Sequence, residues 1–304
     1  MYLRYFGLTE KPFSIAPNPE FLFLSERHKE ALAHLTYGLG DAGGFVLLTG
    51  EVGTGKTTVT RSMLAQLPDS TQVAFILNPA LSEMELLASI CDELNIDYDA
   101  DNATLKSLTD VIKARLLDNH HQGGHTMLII DEAQHLAAEV LEQLRLLTNL
   151  ETDHKKLLQI VLVGQPELQQ LLKRNELRQL AQRITARYHL LPLTESQVFA
   201  YVKHRLNKAG CQTSLFEPQA IAYMHQVTAG IPRLINLLAD RCLLGAYSAQ
   251  QQVVTKAIAV QAAKEALPLD LVPQSNKKPV NMPVLVSGWV AAMFICGIGL
   301  SYIF

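Results

Sequence analysis

Cysteine is scarce and scattered in this chain of 304 residues: Cys91, Cys211, Cys242 and Cys296 stand far apart, with no CxxC pair and no closely spaced Cys/His set. That spacing excludes a disulfide scaffold or a zinc site as the organising feature, and it suits a reducing, cytosolic compartment. An excess of one charge is also missing. The 26 Lys+Arg and 29 Asp+Glu leave a net of −3, which excludes a polybasic protein binding through bulk charge but leaves room for a local basic face. The opening MYLRYFGLTEKPF lacks the long apolar core of a secretory signal. Charged residues make up only 18% and hydrophobic ones 48%, so the chain can bury a sizeable core.

The apolar residues fall into an ordered series. Short runs at Phe45–Thr49, Val73–Leu77, Thr126–Ile130, Leu158–Val163 and Tyr188–Leu191 alternate with helical patterns at Glu26–Leu39, Lys56–Gln66, Glu83–Leu94, Leu105–Asn119 and Ala137–Leu150. This alternation predicts an α/β fold with a parallel five-stranded sheet sandwiched by helices. After Pro192 only helices are expected, over Ser196–Lys208, Pro218–Thr228, Pro232–Ala249 and Thr255–Leu267. The expected domains are therefore 1–192, including an extended Phe/Pro-rich N-terminal segment, then a helical domain over 193–267 and a linker over 268–283. Residues 284–304 contain no charge. As a helix they would be about 31 Å long, enough to cross a bilayer core. Lys277 and Lys278 precede them, and positive flanks stay cytoplasmic. The expectation is a single membrane span with the body of the chain on the cytoplasmic side.

The strongest local signal is Gly50-Glu51-Val52-Gly53-Thr54-Gly55-Lys56-Thr57, a GxxxxGK[ST] loop placed directly between a strand and a helix. Its glycines let backbone N–H groups face phosphates at a positive helix N-terminus. Lys56 is expected at the β- and γ-phosphates and Thr57 on Mg²⁺, with Thr58 next in the nucleotide-binding run. The run Met127–Ile130 ends in Asp131-Glu132. At the end of a parallel strand these carboxylates suit the Mg²⁺ shell (Asp131) and a general base for water attack (Glu132). Gln165, ending the run Leu158–Val163, is a candidate for orienting that water; Pro166 equally suits a helix start. Residues 173–208 hold eight Lys/Arg against two acids. Of these, Arg183, with Arg187 second, is the candidate to reach a nucleotide on a neighbouring subunit. Arg233 follows a proline at a helix start, where a cation conflicts with the helix dipole unless an anion is bound nearby. His120, His121 and His125 read as an exposed loop without enough ligands for a metal. The acidic stretch Glu83–Asp101 reads as a solvated face, or as a surface for a neighbour's basic 173–208 region.

Taken together, YFGLTEKPFSIAPNPEFLFLSERHKEAL, GEVGTGKTT, LIIDEAQHL, LVGQPEL and GIPRLINLL resemble the AAA+ secretion ATPases of the ExeA/GspA type, over residues 1–267. That resemblance implies a P-loop AAA+ domain with a helical lid, ATP and Mg²⁺, and homo-oligomers. It also implies ATP hydrolysis in assembling a type II secretion machine or an MSHA-like type IV pilus, with inner-membrane components as partners. It further implies that Arg233 is a second sensor and that the N-terminal Phe-rich segment helps enclose adenine. Longer relatives add a peptidoglycan-binding domain after the membrane helix. Residues 1–304 contain none, so the expectation is the pilus form. The body also resembles the DNA-binding TniB/TnsC transposition regulators, but the balanced charge and the apolar tail argue against a nucleic-acid partner. A scaffold with negligible turnover is a third alternative, disfavoured by the Asp131-Glu132 pair.

Overall fold

The computed structural model describes residues 2–16, 18–38, 44–77, 80–152 and 156–268. The predicted span and most of the linker lie outside them. Among the described residues no helix is long and apolar enough to cross a membrane.

A short helix α1 (Tyr2–Tyr5) is followed by α2 (Glu26–Gly38), β1 (Gly44–Gly50), α3 (Lys56–Leu64), β2 (Thr71–Ile76), α4 (Glu83–Glu93) and α5 (Leu105–His121). Then come β3 (His125–Ile130), α6 (Ala138–Leu147), β4 (Leu158–Gly164), α7 (Pro166–Leu171), α8 (Arg178–Gln182) and β5 (Ile184–Leu190). Among the described residues the helices that follow are α9 (Glu195–Lys208), α10 (Pro218–Thr228), α11 (Pro232–Ser248) and α12 (Lys256–Ala266).

The five strands form one parallel sheet in the order β2-β3-β4-β1-β5. β1 is buried along its whole length. Its side chains alternate between two separate cores, as strand periodicity requires. Phe45 and Leu47 share one core with Leu86, Leu108, Ile112 and Leu141. Val46 and Leu48 share the other with Leu35, Val59 and Met63. Helix starts are locally encoded. Ser82, Thr104 and Thr194 each cap a helix through reciprocal bonds with the residue three positions on.

Parts of the chain differ from the sequence expectation. β5 begins at Ile184, four residues before the apolar run, because it is an edge strand whose Thr185, Arg187 and His189 face outward. Its alternation therefore hides it from a search for continuous apolar runs. His120 and His121 end α5 and His125 opens β3, so the three histidines do not share one loop.

The N-terminal segment contains α1 and a single 3-10 turn at Pro19–Phe21 rather than being extended throughout. It packs on the C-terminal helices. Thr9 N–H donates to the Ala209 carbonyl at 2.9 Å. Tyr2 hydrogen-bonds Asp240, and the Phe13 and Phe216 rings meet edge to face at 5.8 Å. Arg205 of α9, only 7% exposed, donates to the carbonyls of Pro12 (2.5 Å) and Ser14 (2.8 Å), with its guanidinium 4.8 Å from the Phe21 ring centroid. The basic residue thus satisfies two backbone acceptors and an aromatic face at once. Phe13→Ala is expected to destabilise the fold by about 3–5 kcal/mol through the cavity it leaves, read by urea denaturation; a loss below about 1 kcal/mol would show that the segment adds little to folding.

Candidate functional site

The glycine loop and the carboxylates meet because of strand order. β4 lies between β3 and β1. The chain leaving β1 (50–57), β3 (Asp131 and Glu132) and β4 (Gln165) therefore emerges at three neighbouring positions on the carboxyl edge of the sheet.

Two loop glycines have φ values closed to most side chains, +82° at Gly53 and +106° at Gly55, and both are close-packed. A Cβ on Gly53 would lie 2.6 Å from the Arg233 Cβ, and one on Gly55 would lie 2.5 Å from His28 Nε2. The loop is thus clasped from two sides. From α11, the Arg233 N–H donates to the Gly53 carbonyl at 3.3 Å. From α2, the buried His28 ring places Nε2 at 3.2 Å from the Thr54 carbonyl and Nδ1 at 2.6 Å from Ser25 Oγ. The carbonyl can only accept, so Nε2 carries the proton and Ser25 donates to Nδ1. Inside the loop Thr54 Oγ1 donates to the Glu51 carbonyl at 2.8 Å, and Lys56 Nζ donates to the carbonyls of Gly50 (2.8 Å) and Glu51 (3.2 Å).

The charges are mutually supporting. Burial lowers the pKa of Lys56, while Glu132, Asp131, Glu51 and Glu167 oppose that shift. Burial raises Asp131, although the Glu132 N–H (2.9 Å), Lys56 and the Thr57 hydroxyl stabilise its charge. Burial also acts to raise Glu132, but hydrogen bonds from Gln134 and Gln165 and the charge of Lys56 outweigh it and hold the carboxyl below the ordinary range. Glu132 adopts left-handed backbone angles, φ 51° and ψ 36°. Such strain in a residue with a Cβ is typical of functional positions.

A cavity of about 730 Å³ opens between this edge, the N-terminal segment and the lid helices, a size suited to a small-molecule ligand. Lys56, Thr57, Thr58, Glu132 and Arg233 line its polar end, and Ile15, Leu22 and Val52 line it as exposed apolar groups. The Thr57 hydroxyl beside the Asp131 carboxylate is a pair of hard oxygen donors, which fits Mg²⁺ better than a softer metal. Glycines without Cβ atoms and a buried lysine fit a polyphosphate. These residues would hold the ion and the phosphates, and the ion would supply charge neutralisation.

The structure brings together Lys56, Thr57, Asp131, Glu132, Gln165 and Arg233. It does not bring Arg183 to them. Arg183 immediately precedes β5, at the opposite edge of the sheet, where its Nη1 donates to the Arg145 carbonyl (3.0 Å) and Thr148 Oγ1 (2.9 Å). Arg187 lies within β5, exposed and bonded to the Ala181 carbonyl. Sequence reasoning missed His28, Gln134 and Arg205. His28 and Gln134 sit inside quoted motifs, yet nothing in their spacing marks their contacts. Tyr201 and Asn236, bonded at 2.7 Å and lining the cavity, join α9 to α11 and were missed likewise.

A glycine loop between β1 and α3, acidic residues at the tip of β3 and this strand order define a P-loop nucleotide-binding protein of the AAA+ class. Residues 40–172 match the AAA domain family. Over 248 residues, 82% of its length, the chain is 62% identical to general secretion pathway protein A of Aeromonas hydrophila. The chain belongs to that AAA+ family and spans 45% of the length of this relative. Among solved structures it is similar in fold to Cdc6p from Pyrobaculum aerophilum, with TM-score 0.66 and 18% identity over 84% of this chain and 70% of the other. It is also similar to ORC2 from Aeropyrum pernix, with TM-score 0.63 and 18% identity over 86% and 72%. The Thermotoga maritima RuvB branch migration motor gives TM-score 0.53 and 19% identity over 81% and 73%.

Burial holds the His28 pKa below 6.5, with the Thr54 contact partly opposing the shift. The neutral ring therefore adds stability that is full above the unfolded-state value of about 6.5 and is lost as pH falls through the lower folded value. His28→Gln is expected to flatten that part of the stability profile between about pH 5 and 7, measured by urea unfolding; an unchanged slope would assign the titration to another group.

Proposed function

We propose that this protein is a membrane-anchored ATPase that binds ATP with Mg²⁺ and hydrolyses it to support assembly of a type II secretion machine or an MSHA-like type IV pilus. The observation that carries the enzymatic part is the convergence of Lys56, Thr57 and Glu132 on one cavity that Arg233 also lines, with Asp131 beside Thr57, from two strand ends separated only by β4. In this reading the loop 50–58 and Lys56 bind the phosphates, and Thr57 and Asp131 hold the ion. Glu132 takes the proton of the attacking water, and Gln165 orients that water. Arg233 senses the phosphates from the lid. Arg183 acts on the site of a neighbouring subunit in a homo-oligomer, which is the role its distance from its own loop allows. The apolar walls and the N-terminal segment enclose the base.

The assembly role is supported by the secretion-pathway name of the 62% identical relative. The anchor is supported by the uncharged residues 284–304, which lie outside the described residues. The domains would be 1–192, 193–267, the linker 268–283 and the span, with the ATPase body in the cytoplasm at the inner membrane.

ATP turnover by the purified full-length protein, with and without duplex DNA at physiological salt, tests this reading. Lys56→Ala is expected to abolish nucleotide binding, and Glu132→Gln to bind ATP without hydrolysing it. Normal turnover by Glu132→Gln would remove Glu132 as the base, and strong stimulation by DNA would favour a nucleic-acid regulator. On fractionation, the full chain should partition with membranes and a 1–282 fragment should not; equal solubility of the two would refute the anchor.

A further inference from the structure

Gln134 has no part in the reading above, yet both ends of its amide are engaged at the site. It sits in a one-turn 3-10 helix, Ala133–His135, directly after Glu132. Its Nε2 donates to Glu132 Oε2 at 2.6 Å, and its Oε1 accepts the backbone N–H of Gln165 at 3.0 Å. Gln165 sends its own side-chain Nε2 to the same Glu132 Oε2, at 3.1 Å. The three residues close a ring that ties the end of β3 to the end of β4. Gly164 makes the ring possible: a Cβ there would lie 2.7 Å from Gln134 Oε1 and 2.9 Å from Leu168 Cδ2.

We propose that Gln134 is the positioning residue for hydrolysis: its amide anchors Glu132 Oε2 against the tip of β4 and leaves Oε1 directed to the attacking water. The proposal rests on Glu132 as the base. Oε1 has no hydrogen-bond partner among the described residues, whereas Oε2 accepts two amides. The anchor has to donate to a carboxylate and accept from a peptide N–H at the same time, which a carboxamide does and neither a carboxylate nor an alkyl group can. Asparagine has the chemistry but is one methylene shorter. The left-handed backbone of Glu132 is a conformation that persists only where surrounding contacts hold it. A general base works only within hydrogen-bond reach of its water, and misplacement by about 1 Å can cost on the order of 100-fold in rate.

The test uses full-length protein carrying Gln134→Leu, Gln134→Glu or Gln134→Asn, with Glu132→Gln in parallel. It reads kcat and KM for MgATP, affinity for a fluorescent ATP analogue, and hydrogen exchange of the peptide containing Gln165. Leu and Glu are expected to lower kcat at least about tenfold while KM and analogue affinity stay within about twofold, and to speed exchange at the Gln165 amide. Gln134→Leu combined with Gln165→Leu should lose less than the product of the two single losses, because both side chains serve one oxygen. If Gln134→Leu fails to fold, Gln134→Asn carries the test, with lowered kcat at unchanged KM. Unchanged or raised kcat, or a fall in kcat matched by an equal fall in nucleotide affinity, would overturn the proposal. Normal turnover by Glu132→Gln would instead overturn the base on which it rests, whereas an inert Glu132→Gln beside a normal Gln134→Leu would sink the positioning role alone.

Discussion

In a parallel sheet the carboxyl ends of all strands lie along one edge, and strand order decides which of them are neighbours. Here β4 is inserted between β3 and β1, so three successive strand ends about 4.8 Å apart carry the acidic pair, Gln165 and the glycine loop. No long side chain has to reach for its partner. The buried lysine and the neighbouring carboxylates can therefore be assembled as one charged group. Burial opposes the charged forms of Lys56 and Asp131, and each opposes that effect in the other. Either charge alone in this position would be costly; together they are tolerated.

The glycine loop has a second requirement beyond its backbone angles. Gly53 and Gly55 are the surfaces on which two distant elements rest, α11 through Arg233 and α2 through His28. A phosphate-binding loop clasped on both sides links the sheet to the lid at the point where a nucleotide would bind. The N-terminal segment extends this linkage, because it is fastened to α9, α11 and the Phe216 ring just before α10, and also lines the cavity.

Much of the architecture was legible along the chain. The central strands are continuous apolar runs because both of their faces are covered, and the lid helices carry clear starts at Thr194, Pro218, Pro232 and Thr255. The elements missed were those too short or too polar to show a period, α1, α8 and the first half of β5, whereas the short α7 was marked by its first residue, Pro166. Arg205 was the least legible residue. Within 173–208 it is one of eight basic residues, and only the fold reveals it buried against Phe21 and the carbonyls of Pro12 and Ser14.

By itself the sequence determined the phosphate-binding loop, the acidic strand end and the alternation of strand and helix. Each of these depends on short-range spacing and backbone geometry, which a linear pattern records directly. The tertiary structure alone decided that His28 and Arg233 clasp the loop, that Gln134 and Gln165 share one oxygen of Glu132, and that Arg183 lies at the far edge of the sheet. These contacts join elements from different parts of the chain; Arg205 and Ser14 are 191 residues apart. The partner of a buried polar side chain is set by how layers pack, and packing leaves no periodic trace in the residues that it brings together.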